Sequence, residues 1–410
     1  MTHELQDNIL EIFFGLQDYS LTKLEKIDDK INLHIYKTKN IKCGSCLTQV
    51  NYGKYDSKKR RIYLGCFNLM AVYAILTQYR VFCPTCGGYR TEQQDLSDGK
   101  SRYSKEIGNI VVEYTQYMSC SEASRLLKIP ERTLREIDKT KLKELEPNHM
   151  NNVPDLSIIG IDEVAHKRGH NYGTVMINYK DSKVVWIEKD RKSESLEKIY
   201  NIFAKSFPKL EVASMDFWRP FEHATTKKHP QAVIVYDLFH LARILNRKVE
   251  DERRAYQKNL SDEDRKYMKK HTRWILLRRR CNYKEYHESR LQELKEHNEK
   301  LYEMYLLKEE FLSIFSKGTK REDARAEILS WIDTIKQTGF DALKSFCNTI
   351  LKRFENILNW FDYPISNGKS EGINNVIKTL LKRGYGYKDF EYFRLKVLQR
   401  CGYLMVRPKC

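Results

Sequence analysis

Three short apolar runs follow one another after residue 155: Leu156–Asp162 (LSIIGID), Gly173–Tyr179 (GTVMINY) and Lys183–Glu188 (KVVWIE). Runs of this length, rich in Val and Ile and joined by polar residues, read as strands. A helical segment, Ser193–Phe207, comes next. A strand at Glu211–Met215, a short helix at Pro220–Lys227 and a strand at Ala232–Tyr236 complete the series. The order βββαβαβα requires a mixed sheet with helices on its faces, and so a multidomain α/β chain once the flanking segments are added.

Those flanks are long. The chain has 410 residues, enough for roughly two or three domains at ~150 residues each. Upstream, Glu4–Phe14 reads as an amphipathic helix, and Ile31–Tyr36, Arg60–Leu64 and Gln78–Phe82 as strands. From Lys105 to Leu145 the period is helical, with Ser121–Leu127 and Glu131–Lys139 separated by a brief turn. The Asn- and Pro-rich stretch Glu146–Asp155 (EPNHMNNVPD) predicts a linker. Downstream, Leu238 to about Leu358 is helical and heavily charged, and Ile365–Arg400 holds two helices around a Gly384–Gly386 turn.

Hydrophobic residues make up 41% and aromatic residues 12% of the chain, which excludes wholesale disorder. The 73 Lys and Arg outnumber the 55 Asp and Glu, a net charge of +18 that favours an anionic polymer as partner, nucleic acid above all. No apolar run reaches 18 residues; Phe67–Leu76 is short and contains Asn68. Met1–Leu10 carries acids and lacks the order of a signal peptide. A soluble, intracellular protein without membrane association is expected.

Four of the ten cysteines form two C-x-x-C pairs, Cys43/Cys46 and Cys83/Cys86. In a reducing compartment this pairing points to metal rather than disulfides, and two such knuckles complete a tetrahedral four-thiolate zinc site. The 36 residues between Cys46 and Cys83 must then form strands of their own.

The segment SCSEASRLLKIPERTLREID, Ser119 to Asp138, has apolar faces at Ala123, Leu126 and Leu127 and again at Leu134 and Ile137. Pro130 stands where a helix can begin without losing a hydrogen bond. A helix-turn-helix fits, with Arg132, Thr133 and Arg135 facing a DNA groove, although an ordinary helical hairpin has the same pattern.

Asp162 and Asp216 each close an apolar strand run. A single Asp there is an ordinary turn residue, but the pair could present oxygen ligands at a sheet edge to a hard cation. Glu371 lies in the first turn of a helix whose apolar stripe is Ile373, Val376, Ile377, Leu380 and Leu381. It shares the polar side with Asn375, Lys378 and Lys382. That side is either a solvated helix start or an acid beside a phosphate-binding stripe, and periodicity does not choose between them.

Taken in order, these blocks resemble bacterial insertion-sequence transposases of the DDE class, the insertion-sequence L-three family. The matching stretches are GIDEVAHKRGHNYGTV at Gly160–Val175, SMDFWRPF at Ser214–Phe221, VYDLFHLARILNRKVEDERR at Val235–Arg254 and the block from Ser366 to Lys396. The resemblance covers essentially the whole chain, cysteine segment included. It implies an RNase H-like catalytic domain in which Asp162, Asp216 and Glu371 hold two Mg²⁺ or Mn²⁺ ions, with a helical insertion before the last catalytic helix. Asp237 and His240 match a D-x-x-H group near the site in related enzymes, a supporting role; His240 is otherwise a helix-start histidine.

The expected domains are 1–100 with the zinc module, 101–150 the helix-turn-helix, 151–250 the first catalytic part, 251–350 the insertion and 351–410 the second catalytic part. The expected function is cleavage and strand transfer of double-stranded DNA, with the element's terminal inverted repeats and target DNA as partners. A homodimer or higher oligomer on DNA is expected, in the bacterial cytoplasm and on the nucleoid when bound. Rival readings are a transposase-derived DNA-binding protein without catalysis and an RNase H-like nuclease without strand transfer. A tyrosine recombinase stays formally open with 26 tyrosines, but no Arg/His/Tyr constellation is recognisable.

Overall fold

The structure is a computed structural model, and it describes residues 10–50, 55–167, 169, 171–258, 260–262, 265, 272–315, 318–365 and 368–404. The chain separates into two compact units, Met1–Asn152 together with Leu380–Cys410, and Val153–Thr379. Each contains a mixed sheet with helices.

In the first unit the sheet runs in the order β1 (Tyr19–Ile27), β2 (Lys30–Lys37), β4 (Met70–Cys83), β3 (Ser57–Phe67), and β5 (Gly88–Thr91) also pairs with β4. Strands β2 and β4 are parallel and the other neighbours antiparallel. Alternation along the strands gives the sheet two apolar faces. Leu21, Leu33, Ile35, Ile62 and Leu76 belong to one core with Leu10 and Leu96. Tyr63 and Ala71 belong to another, with Ile107 and Val111 of α1 (Ile107–Tyr117), Ala123 and Leu127 of α2 (Cys120–Leu127), and Leu134 of α3 (Glu131–Asn152). The apolar run at Phe67–Leu76 is broken by Asn68 and Leu69, both at positive φ, which make the tight turn between β3 and β4. Of the expected Glu4–Phe14 helix, residues 4–9 lie outside the described residues, and 10–14 are helical.

The expected linker at Glu146–Asp155 is instead largely helix: α3 continues through Pro147 to Asn152. Its packing explains this. Leu142 and His149 are buried, and His149 Nδ1 accepts the Tyr403 backbone N–H at 3.0 Å. Arg394 of α14 (Phe390–Cys401) pairs with Glu146 at 2.8 Å. Tertiary contacts thus override the local preference of Asn and Pro for a loop.

The second unit is built on the sheet order β10-β9-β6-β7-β8. Strands β6 (Ile158–Lys167), β7 (Asn171–Asn178) and β8 (Lys183–Lys189) form an antiparallel meander. Strands β9 (Val212–Met215) and β10 (Val233–Tyr236) extend it in parallel with β6. Helices α4 (Ser193–Ile202) and α5 (Arg219–Lys228) make the crossovers, and α6 (Leu238–Gln257) leaves the end of β10. Five helices follow among the described residues: α7 (Arg273–Leu277), α8 (Glu285–His297), α9 (Glu299–Ile314), α10 (Arg321–Gln337) and α11 (Asp341–Leu351). They bury aromatic and aliphatic side chains of their own, including Phe311, Ile328, Trp331 and Phe346. Then α12 (Phe354–Asp362) covers the edge strand β10, where Asn359 Nδ2 donates to the Ile234 carbonyl at 2.9 Å. Helix α13 (Gly368–Arg383) follows.

Residues 351–410 therefore divide between the units, since α14 packs on α1 and α3 of the first. Among the described residues no helix is long and apolar enough to cross a membrane.

Candidate functional site

Three in-register parallel strands of the second unit each end their shared pairing immediately before an aspartate. Ile161 pairs with Met215, and Met215 with Tyr236; the next residues are Asp162, Asp216 and Asp237. Aligned residues on neighbouring parallel strands project to the same side, so the three carboxylates arrive together. They are only 9%, 9% and 4% exposed. The sequence places Asp162 at a strand end. Strand β6 in fact runs on to Lys167, because its pairing with β7 outlasts its pairing with β9.

Asp237 caps α6 by accepting the Phe239 N–H at 2.9 Å, which sets His240 on the first helical turn. His240 Nδ1 lies 2.6 Å from Asp216 Oδ1 and 2.6 Å from Asp237 Oδ2. These three residues form a cluster with ligand atoms within 4.8 Å of one another. Asp162 accepts from the Glu163 N–H at 2.7 Å and from Asn374 Nδ2 at 2.7 Å. Asn374 belongs to α13, and Glu371, Asn374 and Lys378, at helical spacing, line one cavity of about 560 Å³ with Asp162, Asp216, Asp237 and His240. Asp162 and Glu371 stand outside the tight three-residue cluster, and Glu371 is exposed.

Burial raises the Asp162 carboxyl to about 6, with the Asp216 charge adding to it. Burial also raises Asp216, against the opposing bond from His240. Burial alone would lower His240, but its bonds to Asp216 and Asp237 outweigh that and lift it to about 9, so it is an imidazolium at neutral pH. Buried acids held beside a single cation are a donor set suited to a hard divalent ion.

Sequence reasoning missed Asn374, Glu163, Phe239 and Arg243 among the cavity residues. For Asn374 the signal was present, three residues after Glu371 on the same helical face. Lys382, one turn beyond Lys378, is exposed and does not line the cavity.

In the first unit the two cysteine pairs converge: β4 ends at Cys83, and Cys43 bridges to Glu92 just after β5. Cys43 Sγ lies 3.9 Å from Cys86 Sγ, and Cys46 Sγ 3.5 Å from Cys83 Sγ. Four sulfurs at ~2.3 Å from a tetrahedral zinc would stand ~3.8 Å apart, which these separations match. The Ser45 and Cys86 N–H groups point at the Cys43 and Cys83 sulfurs at 3.4 Å each. The Thr48 hydroxyl and amide draw Cys46 down to about 6, whereas bonding to its crowded neighbours pushes Cys86 up to about 12. The four sulfurs could hold one metal ion, and held as thiolates at these separations they would need its charge among them.

Helices α2 and α3 meet at Lys128, in the left-handed region, and Ser119 and Glu122 form a capping box at the start of α2. Arg132 and Arg135 are exposed in the first turns of α3, each beside a glutamate, at 3.5 Å from Glu136 and 2.6 Å from Glu131. Thr133 is half-buried and hydrogen-bonds Tyr103, so its hydroxyl is engaged within the unit.

A family model described as a transposase, DDE_Tnp_ISL3, matches residues 159–397. The chain is 27% identical over 406 residues to the transposase for insertion sequence element IS1001 of Bordetella parapertussis, covering 96% of this chain and 98% of that protein. It is 23% identical over 297 residues to the transposase for insertion sequence element IS1557 of Mycobacterium tuberculosis, 66% of each. Among solved structures, the Drosophila P element transposase strand transfer complex aligns with a TM-score of 0.36 at 10% identity, covering 74% of this chain and 94% of that one.

Proposed function

Because this chain belongs to the DDE transposase family of insertion sequences, we propose that the cavity at the end of β6, β9 and β10 cuts and joins DNA. The observation that carries this is the register that delivers buried Asp162, Asp216 and Asp237 side by side, in a cavity that Glu371 also lines.

Asp162, Asp216 and Glu371 would hold two Mg²⁺ or Mn²⁺ ions. Bound there, the ions supply activation of the attacking water or 3′-OH and stabilisation of the leaving oxygen. Asn374 holds the Asp162 carboxylate in one orientation. His240 and Asp237 position Asp216, and the imidazolium offsets carboxylate repulsion before the site is filled. Lys378 offers a cation to the phosphate backbone. No protein nucleophile is needed. In this reading the second unit is an RNase H-like catalytic domain carrying a helical insertion, α7 to α11.

The first unit would recognise the element's terminal repeats through a helix-turn-helix, α2 and α3, with Arg132 and Arg135 at the DNA. One zinc ion held by Cys43, Cys46, Cys83 and Cys86 would brace it. The partners are double-stranded DNA and further copies of this chain, in the cytoplasm and on the nucleoid. The test is end cleavage and strand transfer with Mg²⁺, comparing wild type with Asp162→Asn, Asp216→Asn and Glu371→Gln. Each variant should bind DNA and lose both reactions. A variant with near-wild-type cleavage would remove its residue from the site, and three such variants would sink the reading. Cleavage of ends without joining would leave a nuclease.

A further inference from the structure

Beside the catalytic cavity lies a second one of about 410 Å³, on α6 and α7, and Arg243 lines both. Four arginines, Arg243, Arg247, Arg254 and Arg273, face two carboxylates there, Glu250 and Asp251. The spacing 243, 247, 250, 254 is a single stripe along one face of α6.

Glu250 at the centre is buried and already neutralised. It accepts two bonds from buried Arg253 at 2.8 Å each and one from Arg254 at 2.9 Å, and Arg273 Nε stands 3.7 Å away. Its role is to hold Arg254 and Arg273 in place. Arg243 and Arg247 are exposed and form no ion pair with a described residue. From Arg243 to Arg254 the helix rises about 17 Å, the length of about five nucleotides of one strand at the ~3.4 Å B-form rise.

We propose that the arginine face of α6 is a backbone track for the DNA strand that passes through the catalytic cavity, with Arg243 and Arg247 contacting successive phosphates next to the reacting one. The ligand class is a polyanionic strand read through its phosphates. The inference rests on the catalytic reading of the adjoining cavity, and its test is independent of the chemistry.

Binding of the full chain to a duplex carrying the element end and its flank is measured in Ca²⁺ over a range of salt concentrations. Each lost phosphate contact should flatten the log affinity against log salt slope by about 0.9. Arg247→Ala should lower the slope by about one such step and Arg243→Ala with Arg247→Ala by about two, while Arg247→Lys keeps the wild-type slope. Equal slopes for wild type and the double alanine variant would overturn the track. So would a lysine variant as flat as the alanine one, which would mark a packing role instead. The expected slope changes among the variants in Ca²⁺, together with a wild type that cuts nothing in Mg²⁺, would uphold the track and refute the catalytic reading.

Discussion

At the scale of single residues, the centre of the site is His240, whose one Nδ1 faces two buried carboxylates. An imidazolium there does part of what a bound cation would do, so the two compete for Asp216. Replacing His240 by Ala should therefore enlarge the rise in Tm that Mg²⁺ produces, by about 2–4 °C for each kcal/mol of added coupling in a unit of this size. It should also slow cleavage, since Asp216 loses its positioning partner. Thermal melts with and without Mg²⁺ decide the point: an unchanged metal shift would mean that His240 does not oppose the ion. If the proposed acids act as a unit, any one neutral replacement should reduce cleavage by about 10³-fold or more with little loss of DNA affinity. This competition was invisible in the sequence, where His240 reads equally well as a helix-start residue.

At the scale of elements, the site depends on how closely α13 approaches β6. A Cβ at Gly160 would stand 2.5 Å from the Tyr179 ring and 3.4 Å from Ser370 Oγ, and Lys369 Nζ donates to the Tyr179 carbonyl at 2.5 Å. Gly160→Ala should push Tyr179 and α13 outward, costing about 1–3 kcal/mol by overpacking. Cleavage should fall with it, because Glu371, Asn374 and Lys378 ride on that helix. A fully active, equally stable Gly160→Ala protein would show that α13 is not seated by this contact. The cysteine knuckles make a comparable prediction for the first unit. Purified protein should hold about one zinc per chain, and Cys43→Ser should lose it and destabilise β4 and β5, as metal analysis and melting would show. Fully folded zinc-free wild type would end that proposal.

At the scale of the whole molecule, the first unit is assembled from both ends of the chain. Buried Asp138 of α3 accepts from Thr115 of α1 at 2.6 Å and from Tyr392 of α14 at 2.5 Å, and Lys396 lies 3.2 Å away. A chain ending at Gly386 would leave Asp138 buried with two partners missing and the apolar faces of α1 and α3 uncovered. Breaking a buried pair in this way costs about 3–5 kcal/mol. The truncated protein should thus lose protease resistance and DNA binding in residues 1–152, although no residue of that segment has changed. Unaltered proteolysis and melting of the first unit would refute this. An isolated fragment of residues 1–150 is for the same reason a poor test of DNA recognition.

What the sequence determined by itself was what is written locally. Four of the five strands of the second unit fell within two residues of their observed ends, and β6 runs five residues past its expected end, because short Val/Ile-rich runs are a local signal whereas the length of a pairing is not. The C-x-x-C pairs announced their cluster, because two knuckles of this spacing complete one four-sulfur metal site. The acids at 162, 216 and 371 were legible as candidates from strand ends and helix phase. Tertiary structure alone decided the rest. The resemblance already set Asp237 near the site in a supporting role, but its place side by side with Asp162 and Asp216 comes from the register of β10 on β9, a pairing that no local pattern records. The Asn-rich stretch at 146–155 is helix up to Asn152 because Arg394 of α14 and Tyr403 just after it, some 250 residues later, hold Glu146 and His149. Residues 380–404 belong to the first unit, where Tyr392 and Lys396 of α14 join Thr115 of α1 around buried Asp138.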